Sequence, residues 1–138
     1  MTEEKKALLL ASFGRNEWLQ QMGATLEEVT NGFVSIRLPK QSYMTRKAGM
    51  FNGAIMASLV DVSSGYAAVS AKPDDCYVVT VELKVNYLNP AMGDALVSKS
   101  YVVKNGAKIS VIRTEIFCVS EASEQHVATS LVTMMRIK

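Results

Sequence analysis

Between Asn52 and Ala71 the chain reads NGAIMASLVDVSSGYAAVSA, a stretch of apolar and small side chains with one charge, Asp61, near its middle. Nothing else in the sequence limits the fold as strongly. A run this long and apolar is either a membrane span or a helix that the rest of the chain must cover. Asp61 at its centre would cost a span roughly 2.5–3.5 kcal/mol on insertion scales, and Ser58, Ser63 and Ser64 weaken it further. The stretch therefore reads as a long helix of a globular core. Asn52 is a suitable N-cap, and Lys72-Pro73-Asp74-Asp75 stops the helix and turns the chain. The lone carboxylate must face a cavity, find a partner from elsewhere or do chemistry.

With 138 residues, 49% hydrophobic and 20% charged, the chain has the composition of one globular domain spanning 1–138. A formal net charge of +2 gives no reason to expect nucleic acid or an anionic membrane as a partner. Cys76 and Cys118 lie far apart, with neither metal-ligand spacing nor a disulfide pattern, and a reducing cytoplasm is expected. The segment MTEEKKALLLASFGRNEW lacks the long apolar centre of a signal peptide. Residues 1–20 instead read as a short helical segment, capped by Thr2, favoured by Glu3 and Glu4 at the positive end of the dipole, and interrupted at Gly14.

Strands account for most of the remainder. Asn31-Gly32 and Asn105-Gly106 are hairpin signals of the type I′ kind, which needs positive φ at both central residues. Val34, Ile36 and Leu38 alternate with Ser35 and Arg37 up to Pro39, as a half-buried strand requires. After the long helix come CYVVTVELKVNYLN, ALVSKSYVVKN, KISVIRTEIFCVS and HVATSLVTMMRIK, four β-prone runs separated by Pro90–Asp94, Gly106 and EASEQ. Hairpin-linked strands around one apolar helix predict an α+β fold with the sheet wrapping the helix.

Helical geometry places Ala54, Ala57, Ser58, Ser64, Gly65 and Ala68 on the face of Asp61, all of them small. Ile55, Leu59, Val62 and Tyr66 fall to the other side, where a concave sheet could receive them. Gly65 costs a helix interior about 1 kcal/mol relative to alanine, which suggests close packing or access. A small-residue stripe around a carboxylate suits another chain or a slender ligand. It equally suits tight helix packing around an ion pair with a lysine or arginine, and the pattern leaves both open.

The segments GMFNGAIMASLVDVSSGYAA, VTVELKVNYLNPAMGD and VVKNGAKISVIRTEIF together resemble the hotdog-fold acyl-CoA thioesterases of the phenylacetate-degradation type. The likeness runs from about Trp18 to the end of the chain. It implies a sheet wrapped around a central helix and a homodimer with active sites at its interface, paired further into a dimer of dimers. It also implies an activity: hydrolysis of an acyl-CoA thioester to free acid and coenzyme A, with no cofactor beyond the coenzyme A of the substrate. Asp61 corresponds to the catalytic carboxylate, a general base or nucleophile, and Gly53 to the helix-opening glycine whose N–H polarises the thioester carbonyl. That role suits the unpaired donors and positive dipole end of a helix N-terminus.

Thr80 corresponds to a hydroxyl that holds the attacking water, supplied by the partner subunit. Asn52 stands where the family commonly has histidine; it can donate a side-chain N–H or cap the helix but does not titrate near neutrality. Ala54 replaces a second glycine, and Arg46 stands where many relatives have asparagine. Ala54, Ser58, Ser64 and Gly65 are expected to line the substrate path. Lys104, Asn105, Gly106 and Lys108 match a hairpin near the nucleotide end of coenzyme A, and Asn89 and Pro90 a loop beside the pantetheine. As plain residues these are a solvated hairpin tip and a turn. His126, the only histidine, lies at the start of the last strand, which argues against hotdog dehydratases, a Ser-His-Asp triad and a zinc site. The other readings are a hotdog module that binds acyl-CoA or another acyl ligand without turning it over, and a purely structural oligomer with no ligand pocket between subunits beside Asp61.

Overall fold

The computed structural model covers residues 1–138 and has the α+β hotdog architecture, one antiparallel sheet curled around one long helix. Helix α1 spans Glu3–Arg15 and α2 Glu17–Gln21. Strands β1 (Thr25–Thr30) and β2 (Phe33–Pro39) form a hairpin, two short 3-10 turns follow at Ser42–Met44 and Lys47–Gly49, and the central helix α3 runs Gly53–Ser70. Strands β3 (Val78–Tyr87), β4 (Ala95–Asn105), β5 (Ile109–Ser120) and β6 (Ser123–Arg136) complete the chain. In the sheet the order is β1-β2-β4-β5-β6-β3, so β3 crosses to the far edge beside the last strand. No helix is long and apolar enough to cross a membrane.

The cap residues behave as their chemistry requires. Thr2 accepts from the Lys5 N–H and Asn52 Oδ1 accepts from the Ile55 N–H at 2.9 Å. The break in the N-terminal helix lies at Asn16, not at Gly14. Asn16 closes α1 through its own N–H to the Phe13 carbonyl and opens α2 through its carboxamide oxygen, which accepts from Leu19. A residue that serves both ends supplies a sharper stop than glycine's flexibility alone.

Neither Asn-Gly pair makes the expected type I′ turn. At the first, Gly32 alone has positive φ (82°), and its N–H donates to Ser70 Oγ at 2.9 Å, which ties the hairpin tip to the end of α3. At the second, β4 runs on through Asn105 and the loop is Gly106–Lys108; a side chain at Gly106 would collide with the Ile109 carbonyl oxygen. Tertiary anchoring set the turn geometry at both places.

Alternate residues of the strands face α3. Val34, Ile36 and Leu38 of β2, Leu96, Ser98 and Ser100 of β4, Ile112, Thr114 and Ile116 of β5, and Ala128, Ser130 and Val132 of β6 are all buried. Leu59 and Val60 meet them from α3, and full burial of a side chain such as Leu59 contributes about 1.5–3 kcal/mol. The face that α3 turns to the sheet differs from the expected one. It comprises Met56, Leu59, Val60, Ser63, Ser64, Ala67 and Ala68, whereas Ile55, Val62 and Tyr66 are only half-buried.

Serines fit this face because the sheet answers them. Ser64 Oγ lies 2.7 Å from Thr114 Oγ1, Thr114 Oγ1 lies 2.6 Å from Ser100 Oγ, and Ser100 donates to Ser63 Oγ at 2.7 Å. Ser63 Oγ is 2.7 Å from Ser98 Oγ, which lies against the Ile36 backbone. Every hydroxyl in this run is fully buried, so an unpaired one would cost about 1–3 kcal/mol.

Candidate active site

Asp61 sits midway along α3, half-buried, and forms no ion pair; the salt bridges of the chain are Lys5–Asp74, Arg113–Glu115 and His126–Glu115. The structural alternative, a carboxylate neutralised by lysine or arginine, is therefore not realised within the chain. Its one hydrogen bond comes from Thr80, whose hydroxyl donates to Asp61 Oδ1 at 2.6 Å. That is a short, charge-assisted bond. Met134 Sδ lies 3.4 Å from the same hydroxyl, and the carboxylate is the stronger acceptor.

This contact corrects one expectation. Thr80 reaches Asp61 from its own chain, not from a neighbour. The cause is the crossover of β3: its pairing with β6 carries Thr80 beneath the helix, and the bulge between Thr80 and Glu82 interrupts the alternation at that point. Bulges of this kind re-aim a side chain next to functional groups.

At the start of α3 a second set of groups gathers. Gly53 and Ala54 open the helix, so their N–H groups have no carbonyl one turn back within it. Gly53 has a steric reason to be glycine: a Cβ there would lie 3.2 Å from Tyr87 Cζ, and Tyr87 donates its hydroxyl to the Gly53 carbonyl at 2.7 Å. The carboxamide oxygen of Asn52 is committed to capping, which leaves its NH2 as the free donor. Arg46, Tyr87, Asn89 and Pro90 line a cavity of about 450 Å³ with Gly53. Asn89 holds this loop down by donating to the His126 carbonyl at 2.9 Å.

Asp61 instead borders a different and larger cleft, about 660 Å³, shared with Thr80, Gly65 and residues of α1. Asp61 lies eight residues after Gly53 on one straight helix, which separates the two along the axis by about 12 Å. The structure thus brings Asp61, Thr80 and Gly65 together, and Gly53, Asn89 and Pro90 together with Asn52 adjoining them, as two candidate half-sites.

Other predicted residues fall elsewhere. Ser64 does not share the open face of Asp61: it points into the sheet and its hydroxyl is used by Thr114. Ala54 is exposed and Ser58 half-buried beside it, with the Ser58 hydroxyl donating back to the Ala54 carbonyl at 2.8 Å. Lys104, Asn105, Gly106 and Lys108 lie at the opposite end of α3, where Asn105 donates to the Ala71 carbonyl and Lys72 to the Gly106 carbonyl. His126 bonds Glu115 at 2.8 Å and stacks on Phe117, away from both half-sites. Sequence reasoning missed Tyr87 and the α1 wall of the larger cleft. The tyrosine of NYLNP was visible, but only the fold shows that its ring covers a glycine 34 residues earlier.

Comparison with known proteins agrees with this fold. The sequence model of a family described as the thioesterase superfamily matches residues 48–124. The crystal structure of a thioesterase family protein from Silicibacter pomeroyi superposes with a TM-score of 0.92 at 30% identity, covering 96% of this chain and 97% of the other. The PaaI protein of the phenylacetic acid degradation operon of Escherichia coli superposes with a TM-score of 0.86 at 21% identity, covering 100% and 97%. The medium/long-chain acyl-CoA thioesterase YigI of Escherichia coli is 22% identical over 129 residues, 83% of this chain and 81% of its own.

Proposed function

Since this chain belongs to the thioesterase superfamily, we propose that it hydrolyses acyl-CoA thioesters, with Asp61 as the catalytic carboxylate. The observation that carries the reading is a half-buried carboxylate with no cationic partner, held by one hydroxyl and lining a cleft. An ionised group left in that state is free to accept a proton or to attack a carbonyl carbon.

In the general-base form, Asp61 removes a proton from water as the water oxygen bonds to the thioester carbon. The carbonyl π electrons move to oxygen, and the oxyanion is received by the N–H of Gly53 with the Asn52 NH2 beside it. Collapse of the tetrahedral intermediate breaks the carbon–sulfur bond, the electron pair leaves on the thiolate of coenzyme A, and the proton held by Asp61 neutralises it. Thr80 keeps one carboxylate oxygen fixed and leaves the other to face the water. In the nucleophile form an Asp61 oxygen bonds to the carbonyl carbon, the carbon–sulfur bond breaks and the thiolate of coenzyme A leaves; water then cleaves the mixed anhydride to the free acid and the Asp61 carboxylate, and its remaining proton passes to the thiolate.

One carbonyl group cannot lie within about 3 Å of both Asp61 and the Gly53 N–H of the same helix, which are about 12 Å apart. The two half-sites meet if two copies of α3 lie antiparallel, with Asp61 of one copy opposite Gly53 of the other. The outer edge of the sheet offers the means. β3 is ten residues long and unpaired on one side, and it exposes Val79 and Val81, the latter at 56%. Such an edge is a template for pairing with a second chain. A homodimer joined along β3 then holds two complete sites, with a dimer of dimers as the larger assembly and the cytoplasm as its setting. Lys104 and Lys108, at the far end of each helix, are offered as contacts for the coenzyme A phosphates, and Asn89 and Pro90 for the pantetheine.

The test is release of thiol from aromatic, short, medium and long acyl-CoAs by purified protein, with Asp61→Ala beside it. Loss of at least about a hundredfold in turnover in the variant is expected. A folded Asp61→Ala protein of full activity refutes the assignment. Tight binding without thiol release would make the chain an acyl-CoA-binding module instead.

A further inference from the structure

We infer that Glu115 and His126, on the outer face of the sheet, are positioning residues for the Gly53 half-site. They act through a β-bulge from which one wall of that half-site hangs. The inference rests on the reading of the half-site as a place where the thioester binds.

Tyr87 to Ala91 form that wall and border the cavity of about 450 Å³ with Gly53. Beyond Tyr87, the last residue of β3, the chain leaves the sheet and is held at three points. The Leu88 N–H donates to the Val127 carbonyl at 2.8 Å, the Asn89 carboxamide donates to the His126 carbonyl at 2.9 Å, and the Ala91 carbonyl accepts from the Phe51 N–H at 2.9 Å. Two of these anchors are consecutive residues of β6. The backbone at His126 and Val127 therefore sets where the wall stands.

That backbone is irregular. Ile116 faces Ala128 while the next residue, Phe117, faces His126, which leaves Val127 as an extra residue with no partner on β5. A bulge of this kind disrupts the ladder and bends its strand. Val127 and Ala128 are both fully buried, and the residues that flank them, His126 and Thr129, meet Glu115 on the outer face. Glu115 Oε2 lies 2.8 Å from His126 Nε2, and Oε1 accepts from the Thr129 hydroxyl at 2.8 Å, one carboxylate oxygen to each side of the bulge. An ionised carboxylate only accepts, so Nε2 supplies the proton of its contact. The imidazole also stacks on Phe117, with ring centroids 4.9 Å apart.

An exposed ion pair contributes little. This one differs because the Glu115 side chain is only 17% exposed and both of its oxygens are committed, with Arg113 standing off at 3.9 Å. The carboxylate is a staple across the bulge. Cutting an arm frees His126 and Val127 to shift, and Leu88 and Asn89 shift with the carbonyls that hold them. Asp61, Thr80 and the Gly53 N–H ride on other residues of α3 and β3, so the loss falls on binding.

The experiment compares wild type with Glu115→Ala, His126→Ala and His126→Gln, the last of which keeps an N–H donor in the place of Nε2. Amide hydrogen exchange, read by NMR, should be at least about tenfold faster at Leu88 in both alanine variants, with the slow amides of β2 unchanged and the glutamine variant close to wild type. In steady-state thiol release, KM for acyl-CoA should rise about fivefold to tenfold in the alanine variants while kcat holds within about twofold. A partly unfolded protein loses kcat instead. The Kd of a non-hydrolysable S-alkyl-CoA thioether should rise by the same factor, and that result upholds the inference even in a chain that releases no thiol. Should Glu115→Ala not fold, the two His126 variants decide the matter. Unchanged exchange at Leu88, unchanged KM and Kd in a folded alanine variant, or a glutamine variant as impaired as alanine overturns the inference. A wild type that neither hydrolyses nor binds the thioester analogue overturns the half-site and its positioning together.

Discussion

Replacing Thr80 by valine tests the contact around which the candidate site is arranged. The exchange keeps the β-branched shape on β3 and removes only the hydroxyl that donates to Asp61 Oδ1 at 2.6 Å. A hydrogen bond to a charged group is worth about 1.5–3 kcal/mol, and the exposure of Thr80 puts this one at the lower end. If the bond fixes the carboxylate for its attack, the loss falls on the transition state and kcat drops by about tenfold, since about 1.4 kcal/mol corresponds to each factor of ten. KM should change little, because Thr80 holds the acid rather than the substrate. The assay is thiol release under saturating acyl-CoA, with Thr80→Ser as the rescue variant. Serine restores the donor and should recover most of the rate, whereas a packing role would leave serine as poor as valine. Full kcat in Thr80→Val would refute the view that this bond orients Asp61.

Three other outcomes follow from the structure. Thr114→Val removes the link between Ser64 and Ser100 and strands the Ser64 hydroxyl in the core, while Ser100 keeps its bond to Ser63; urea unfolding should show a loss of about 1–3 kcal/mol with an unchanged m-value. Gly53→Ala should lower both activity and melting temperature because the Tyr87 ring must move, and Tyr87→Ala in the same chain should recover part of the stability; a cycle coupling under about 0.5 kcal/mol would show the two residues to be independent. Burial raises the Cys118 thiol above its ordinary 9.0, so it should resist alkylation in the native state near pH 8 while Cys76 reacts, and mass spectrometry should find one adduct native and two in urea. The stability tied to that thiol is fully present below about pH 9 and fades as pH rises toward its folded value, because the unfolded chain ionises first.

Local chemistry was legible where a residue answers only to its neighbours. The caps at Thr2 and Asn52 and the bounds of β4 could be read from propensity and alternation. The burial of α3 could not, because the helix is apolar on nearly every side and its period does not select a face. Volume suggested that Ile55, Val62 and Tyr66 go inward, but the sheet presents Ser98, Ser100 and Thr114 there and accepts Ser63 and Ser64 in their place. The partner of Thr80 was hidden for a similar reason. Strand order decides it, and nothing in VTVELKVNY says that β3 lies beside β6. Asp61 stood out through its solitude in the sequence, and that solitude persists in three dimensions.

The buried hydroxyls carry a further consequence, because each has one proton to give. Ser100 gives its proton to Ser63, so Thr114 must give to Ser100, Ser64 to Thr114, and Ser63 to Ser98, which passes its own toward the Ile36 carbonyl. All five point the same way, from one side of the helix to β2. Such a line has a polarity that no member can reverse alone, and its links strengthen one another. Exchanging Thr114, Ser100, Ser63 or Ser98 singly for an apolar residue would leave the hydroxyl before it with a proton and no acceptor. Serine and threonine here should change together or not at all, and the azimuth of Asp61, two residues before Ser63, is inherited with them.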